Sequence, residues 1–121
     1  MRPGEVIHET SFTIPTPIPP IYTDEGFVKE VIRWLTYKAR KILREADIHA
    51  KIRATSPRQF IYRDLGDRIK IIDDDGNEII VDKSGQIKMV IIGADLDEWN
   101  TIEIVFTFEG NVVNVKVIYA D

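Results

Sequence analysis

The stretch Ile102-Glu103-Ile104-Val105-Phe106-Thr107-Phe108-Glu109-Gly110-Asn111-Val112-Val113-Asn114-Val115-Lys116-Val117-Ile118-Tyr119 decides the fold of this chain. Ile102, Ile104, Phe106 and Phe108 recur at every second position, as do Val113, Val115, Val117 and Tyr119. Strand side chains alternate between two faces, so each set lines the buried face of a half-buried strand. Gly110-Asn111 between them makes a two-residue hairpin turn. The pairing sets Phe106 and Phe108 on the same inner face as Val113, Val115 and Val117.

Upstream, the same alternation marks strands at residues 60–63, 68–72, 78–81 and 86–92, with turns at Asp75-Gly76-Asn77 and Lys83-Ser84-Gly85. Ile48, Ala50, Ile52 and Ala54 alternate with His49, Lys51 and Arg53 as one more. The connections are short, and parallel pairing needs a long crossover, so the strands form an antiparallel meander. One helix precedes them, over residues 24–46. Thr23 is a good N-cap, Asp24 and Glu25 suit the first turn, and Tyr22 can staple onto Phe27. Phe27, Val28, Val31, Ile32, Leu35, Ala39, Ile42, Leu43 and Ala46 fall on one stripe at helical spacing. Lys29, Arg33, Arg40 and Arg44 fall on the opposite side, with Tyr37 beside them and Trp34 at the border.

The fold class is α+β: one long amphipathic helix on a meander of six to seven strands. One stripe of apolar residues covers one face of about four strands, so the sheet is expected to fold over as a sandwich or barrel, or to meet another subunit. Ile72, Val90, Ile92, Val105, Val112 and Ile118, on the outward face, are the residues that ask for that second cover.

Ahead of the helix, residues 11–22 carry Pro15, Pro17, Pro19 and Pro20 among Phe12, Ile14, Ile18 and Ile21. Proline favours extended backbone and lacks an amide donor. Successive donors of an extended chain face opposite edges, so Pro15, Pro17 and Pro19 silence one edge while Ile14, Thr16 and Ile18 keep theirs on the other. The chain divides into an extended arm, residues 1–22, and a single α+β domain, residues 23–121. The arm is expected to dock, on its own domain or on a neighbour, through Phe12, Ile14, Ile18 and Ile21, which are too apolar for a free tail. Its four prolines suit a strand that must be extended before it meets another subunit.

The 121 residues suit one domain, 44% hydrophobic and 30% charged. Charge is unevenly spread: residues 1–28 carry a net −3, residues 29–63 a net +7 and residues 64–121 a net −8. The overall −4 conceals a strongly dipolar molecule. Absence of cysteine excludes thiol catalysis, disulfides and cysteine-ligated metals. No apolar run spans a membrane, and the polar N-terminus is no secretory signal, so a soluble protein made in the cytoplasm is expected. An excess of 20 Ile and 10 Val over 4 Leu favours strands.

No catalytic or metal motif emerges. His8 and His49 lack the partnering nucleophile or carboxylate motif that catalysis requires. Residues 73–78 resemble a calcium loop, but counting back from Gly76 puts Ile71 at the first ligand position, where an acidic group belongs. Asp64, Asp67, Asp95, Asp97 and Glu98 lack the nearby lysine usual in metal-dependent nucleases. No enzyme activity, cofactor or metal is therefore expected. Lys29, Arg33, Arg40 and Arg44, continued by Lys51, Arg53, Arg58 and Arg63, form an interaction face. A neighbouring subunit's acidic surface explains both signs of charge in one chain. Nucleic acid, stacked on Trp34, Tyr37 and Tyr62, is the alternative partner.

Asp67-Arg68-Ile69-Lys70-Ile71-Ile72-Asp73-Asp74-Asp75-Gly76-Asn77-Glu78-Ile79-Ile80-Val81-Asp82-Lys83-Ser84-Gly85-Gln86-Ile87-Lys88-Met89-Val90 resembles a β-module of structural proteins from tailed-phage and archaeal virions. In those, a strand, an Asp-Gly turn, a second strand and a small-residue-Gly turn lead into a third. The resemblance implies a non-enzymatic particle component that packs in rings or shells as a homo-oligomer, alone or with other particle proteins. It names no site residues.

Overall fold

The computed structural model describes residues 2–15, 25–50, 61–72, 77–82, 86–96 and 99–121. They form one helix and one eight-stranded antiparallel sheet. The strands are β1 (Val6–Thr13), β2 (His49–Ala50), β3 (Ile61–Asp64), β4 (Arg68–Ile72), β5 (Glu78–Asp82), β6 (Gln86–Asp95), β7 (Trp99–Glu109) and β8 (Val112–Tyr119), with α1 (Glu25–Glu45) between β1 and β2. The spatial order is β1-β8-β7-β6-β5-β4-β3, and β2 pairs with the far end of β6. From β3 to β8 the chain meanders; β1 and β2 join out of turn.

The sheet is open, with β1 and β3 as its edges. It therefore departs from the expected sandwich or barrel, and it holds eight strands where six to seven were read. The added strand is β1. It overlaps the segment assigned to the arm: an arm of that kind can pair along one edge, as residues 11–14 do on β8, whereas Val6 and Ile7 fall in the N-terminal stretch read only as polar.

The decisive hairpin forms as read. Phe106 faces Val115 and Phe108 faces Val113. Gly110 has φ 62° and Asn111 keeps a negative φ, the signature of a type II′ turn, whose first central position suits glycine. Across the sheet, Ile69, Val81, Ile87, Phe106 and Val115 are successive partners, and all are fully buried. Against this face α1 sets Val28, Val31, Ile32, Leu35, Ala39, Ile42 and Leu43. The described helix spans 25–45, one residue short of the reading at its C-terminal end, and Asp24 lies outside the described residues. Thr23 and Tyr22 lie outside the described residues.

The helix ends in a Schellman motif. Ile48 N–H bonds to Leu43 C=O at 2.8 Å and Asp47 N–H to Arg44 C=O at 3.1 Å, with Asp47 at φ 57°. That turn starts β2, whose His49 and Ala50 pair with Asp95 and Ala94. β6 thus holds β5 on one part of its edge and β2 on the next. Gly93, at φ 90°, makes the bulge between the two parts. Buried Asn77 serves the same place, its Oδ1 accepting the Ile92 N–H at 3.0 Å.

Candidate interaction surfaces

Four surfaces follow from this architecture: the solvent side of α1, the segment that carries β1, the outer sheet face and the sheet edges. On α1, the buried arc leaves Arg33, Tyr37, Lys41 and Arg44 exposed and Arg40 half-buried. Tyr37 is 66% exposed, so an aromatic ring stands among cations on the outer ridge. Lys29 is half-buried on one flank and paired with Glu25 at 2.9 Å, one helical turn away. Arg40 and Arg44 instead reach the helix C-terminus, where with Asp47 and His49 they line a hollow of about 320 Å³. His49 Nε2 lies 3.7 Å from Asp47 Oδ1, both side chains in solvent. The four basic residues of the sequence reading therefore share one helix but not one environment: Lys29 is ion-paired on a flank, Arg33 and Arg44 are exposed, and Arg40 is half-buried. Of their proposed extension, Arg63 is exposed on β3, while Lys51, Arg53 and Arg58 lie outside the described residues.

Sequence reading passed over Lys38. Its Nζ lies 5.0 Å from the Phe12 ring and 6.0 Å from the Trp34 ring, and those rings meet edge to face at 5.7 Å. The signal was the spacing of Trp34 and Lys38, one turn apart on the helix; their shared neighbour on β1 was not visible without the strand.

The arm anchors divide. Phe12 packs on Trp34 of its own chain, and Ile14 is 6% exposed within the core. Ile18 and Ile21 lie outside the described residues. Ile14 N–H donates to Asn111 C=O at 2.8 Å, and Asn111 Nδ2 donates to Pro15 C=O at 3.3 Å. The backbone at Ile14 thus pairs on the side the proline spacing left open.

Opposite the helix, the outer sheet face is ordered in rungs. One rung runs Ile61, Ile72, Glu78, Val90, Glu103, Ile118, Val6 from edge to edge. The next runs Arg63, Lys70, Ile80, Lys88, Val105, Lys116, Glu9. Lys70 bonds Glu78 at 3.1 Å and Lys88 bonds Glu103 at 3.2 Å, each lacing the two rungs. Ile72, Val90, Ile92, Val105, Val112 and Ile118 all lie on this side, and Ile61 and Ile92 are more than half exposed.

Asp73, Asp74, Asp75, Asp97 and Glu98 lie outside the described residues. His8, read as part of a polar leader, is half-buried in β1 opposite Val117. No described helix is long and apolar enough to cross a membrane. The chain matches no protein-family model, and neither the curated proteins nor the solved structures contain a match to it.

Proposed function

We propose that this chain is a non-enzymatic structural protein that assembles with copies of itself, in the setting of a virus particle. The supporting observation is the outer sheet face, where Ile61, Ile72, Val90, Ile118 and Val6 share one rung from β3 to β1. Isolated apolar residues on a surface are ordinary; a rung of them spanning a sheet is a surface that gains by being covered. Its two glutamates are already matched by Lys70 and Lys88, so little unpaired charge opposes the covering. The virion setting rests on the resemblance of residues 67–90 alone.

Light scattering in 0.15 M and 1 M salt tests the assembly. A native mass above 13.9 kDa in both is expected, reduced by Ile72→Lys with Val90→Lys. A monomer under all conditions overturns the reading.

A second reading has its own observation: Tyr37 exposed one helical turn from Arg33 and from Lys41, both exposed. Aromatic rings among cations stack nucleic-acid bases. Strong, salt-sensitive retention of a monomer on a nucleic-acid column, abolished by Arg33→Glu with Tyr37→Ala, favours that reading over assembly.

A further inference from the structure

We propose that β1 is a dimerisation edge, on which two copies pair their β1 strands antiparallel about a two-fold axis at Ser11. This rests on the self-assembly reading and names the first contact within it. Among the described residues, β1 pairs on one side only, with β8. Ile14 turns its N–H toward β8, onto Asn111 C=O. Backbone groups of successive strand residues face opposite sides, so Glu9, Ser11 and Thr13 turn theirs to the outer edge. All three side chains are exposed on the outer face. Pro15, next in that series, has no donor to offer and ends any pairing there. What remains is a short template for one more strand.

The helix shapes what that strand can be. Beside the edge lies a cleft of about 160 Å³, with Ser11 and Phe12 on the strand side and Lys38, Lys41, Ile42 and Glu45 on the helix side. Trp34 and Lys38 stand level with Phe12. The helix then continues to β2, which pairs at the end of the sheet where β1 begins. Helix and β1 therefore run in opposite directions, and Glu45 lies about 10 Å beyond Lys38 along the axis. A two-fold at Ser11 exchanges these ends. Lys38 then meets Glu45 of the partner subunit, and Glu45 meets Lys38 of the partner subunit. Lys41, nearest the axis, comes to face its own copy there, with Glu45 one turn away along each helix. On the strand, Ser11 faces its own copy and Glu9 faces Thr13 of the partner subunit, so no like charges oppose.

The chain has no cysteine, so Ser11→Cys introduces the only thiol. Hydrogen-bonded partners on antiparallel strands lie about 5.5 Å apart, within the reach of a disulfide. Under mild oxidation Ser11→Cys should become a covalent dimer, while Thr13→Cys, whose mate is Glu9, should remain single on a non-reducing gel. Ser11→Pro removes an outward donor and none that β8 uses, so it should lower the native mass with the circular dichroism spectrum unchanged. Lys38→Glu should weaken the dimer, and adding Glu45→Lys should restore it. Equal cross-linking at positions 11 and 13 overturns the proposal. So does a Ser11→Pro protein of full mass; if the outer-face lysine substitutions still lower the mass, self-assembly stands without this edge. A wild-type monomer overturns both readings. Should Ser11→Pro fail to fold, the contrast between the two cysteine variants still decides.

Discussion

The two faces of this sheet are built from the same residue types and have opposite fates. Ile69, Ile71, Ile87 and Val115 on the inner face are fully buried, whereas Ile72, Ile80, Val90 and Val105 on the outer face keep part of their surface in water. Branched aliphatic side chains fill both, because they suit a pleated strand wherever it faces. Their rung companions make the difference. Inner rungs contain almost nothing but hydrocarbon and meet a helix stripe that matches them. Outer rungs intersperse lysines and glutamates among the aliphatic residues, and the ion pairs between rungs let this surface of the single chain stand in solvent. Abundant Ile and Val therefore announce a sheet without announcing how many layers cover it.

The largest test of that contrast is a pair of neighbours on β7. Phe106 is fully buried and Val105 beside it half-buried. Phe106→Ala should cost about 3–5 kcal/mol in urea-induced unfolding, and Val105→Ala under about 1 kcal/mol. Comparable losses at the two positions would show that the outer face is covered, by the chain itself or by a second copy. A smaller effect is expected at Asn77, a polar side chain 5% exposed where β5 begins. Truncating it to Ala leaves the Ile92 amide without its 3.0 Å acceptor, which should cost about 1–3 kcal/mol and speed hydrogen exchange at Ile92. An unchanged exchange rate would remove Asn77 from the account of how β6 passes from one partner to the next. The smallest effect belongs to the outer lacing. Lys88 and Glu103 are 43% and 25% exposed, so a double-mutant cycle should give a coupling of about 0.2–1 kcal/mol that falls at high salt. A coupling several times larger would mean that this pair is shielded from water, as a docked second layer would shield it.

Much of this fold is legible in the sequence, and the part that is not has a physical reason. The hairpin at residues 102–119 is unmistakable because alternation, aromatic residues and a Gly-Asn turn agree. The helix is equally plain, since its stripe and its charges sort to opposite sides. β1 is not, because Val6-Ile7-His8-Glu9-Thr10-Ser11 alternates poorly and its register shifts between Val6 and His8. An edge strand with one exposed side needs only a weak pattern, and its partner β8 lies about a hundred residues further along, beyond any local signal. The turn at Gly66 was also passed over, although Asp64 Oδ1 accepts the Gly66 N–H at 2.9 Å in the manner of an Asx turn. Among the candidate site residues, helical spacing put Arg33, Arg40 and Arg44 on a common basic side. That Lys29 would be tied to Glu25 follows from their i,i+4 spacing. Lys38 escaped because its significance depends on Phe12, which only the closed β1–β8 pairing brings to it.

That pairing also has a timetable. On a ribosome adding about 5–20 residues per second, roughly a hundred residues separate β1 from β8, so β1 waits for about 5–20 s with no strand to join. The meander from β3 to β8 involves only neighbours in sequence and can assemble as it emerges, whereas the earliest strand is the last to be seated. Until then Phe12 has no sheet beneath it and both edges of β1 are open. Pro15 limits the damage, since it interrupts the donor row on the outer edge. Nascent chains stopped before Val112 should accordingly be cut by protease within Val6–Thr13, and chains that have cleared Tyr119 should resist.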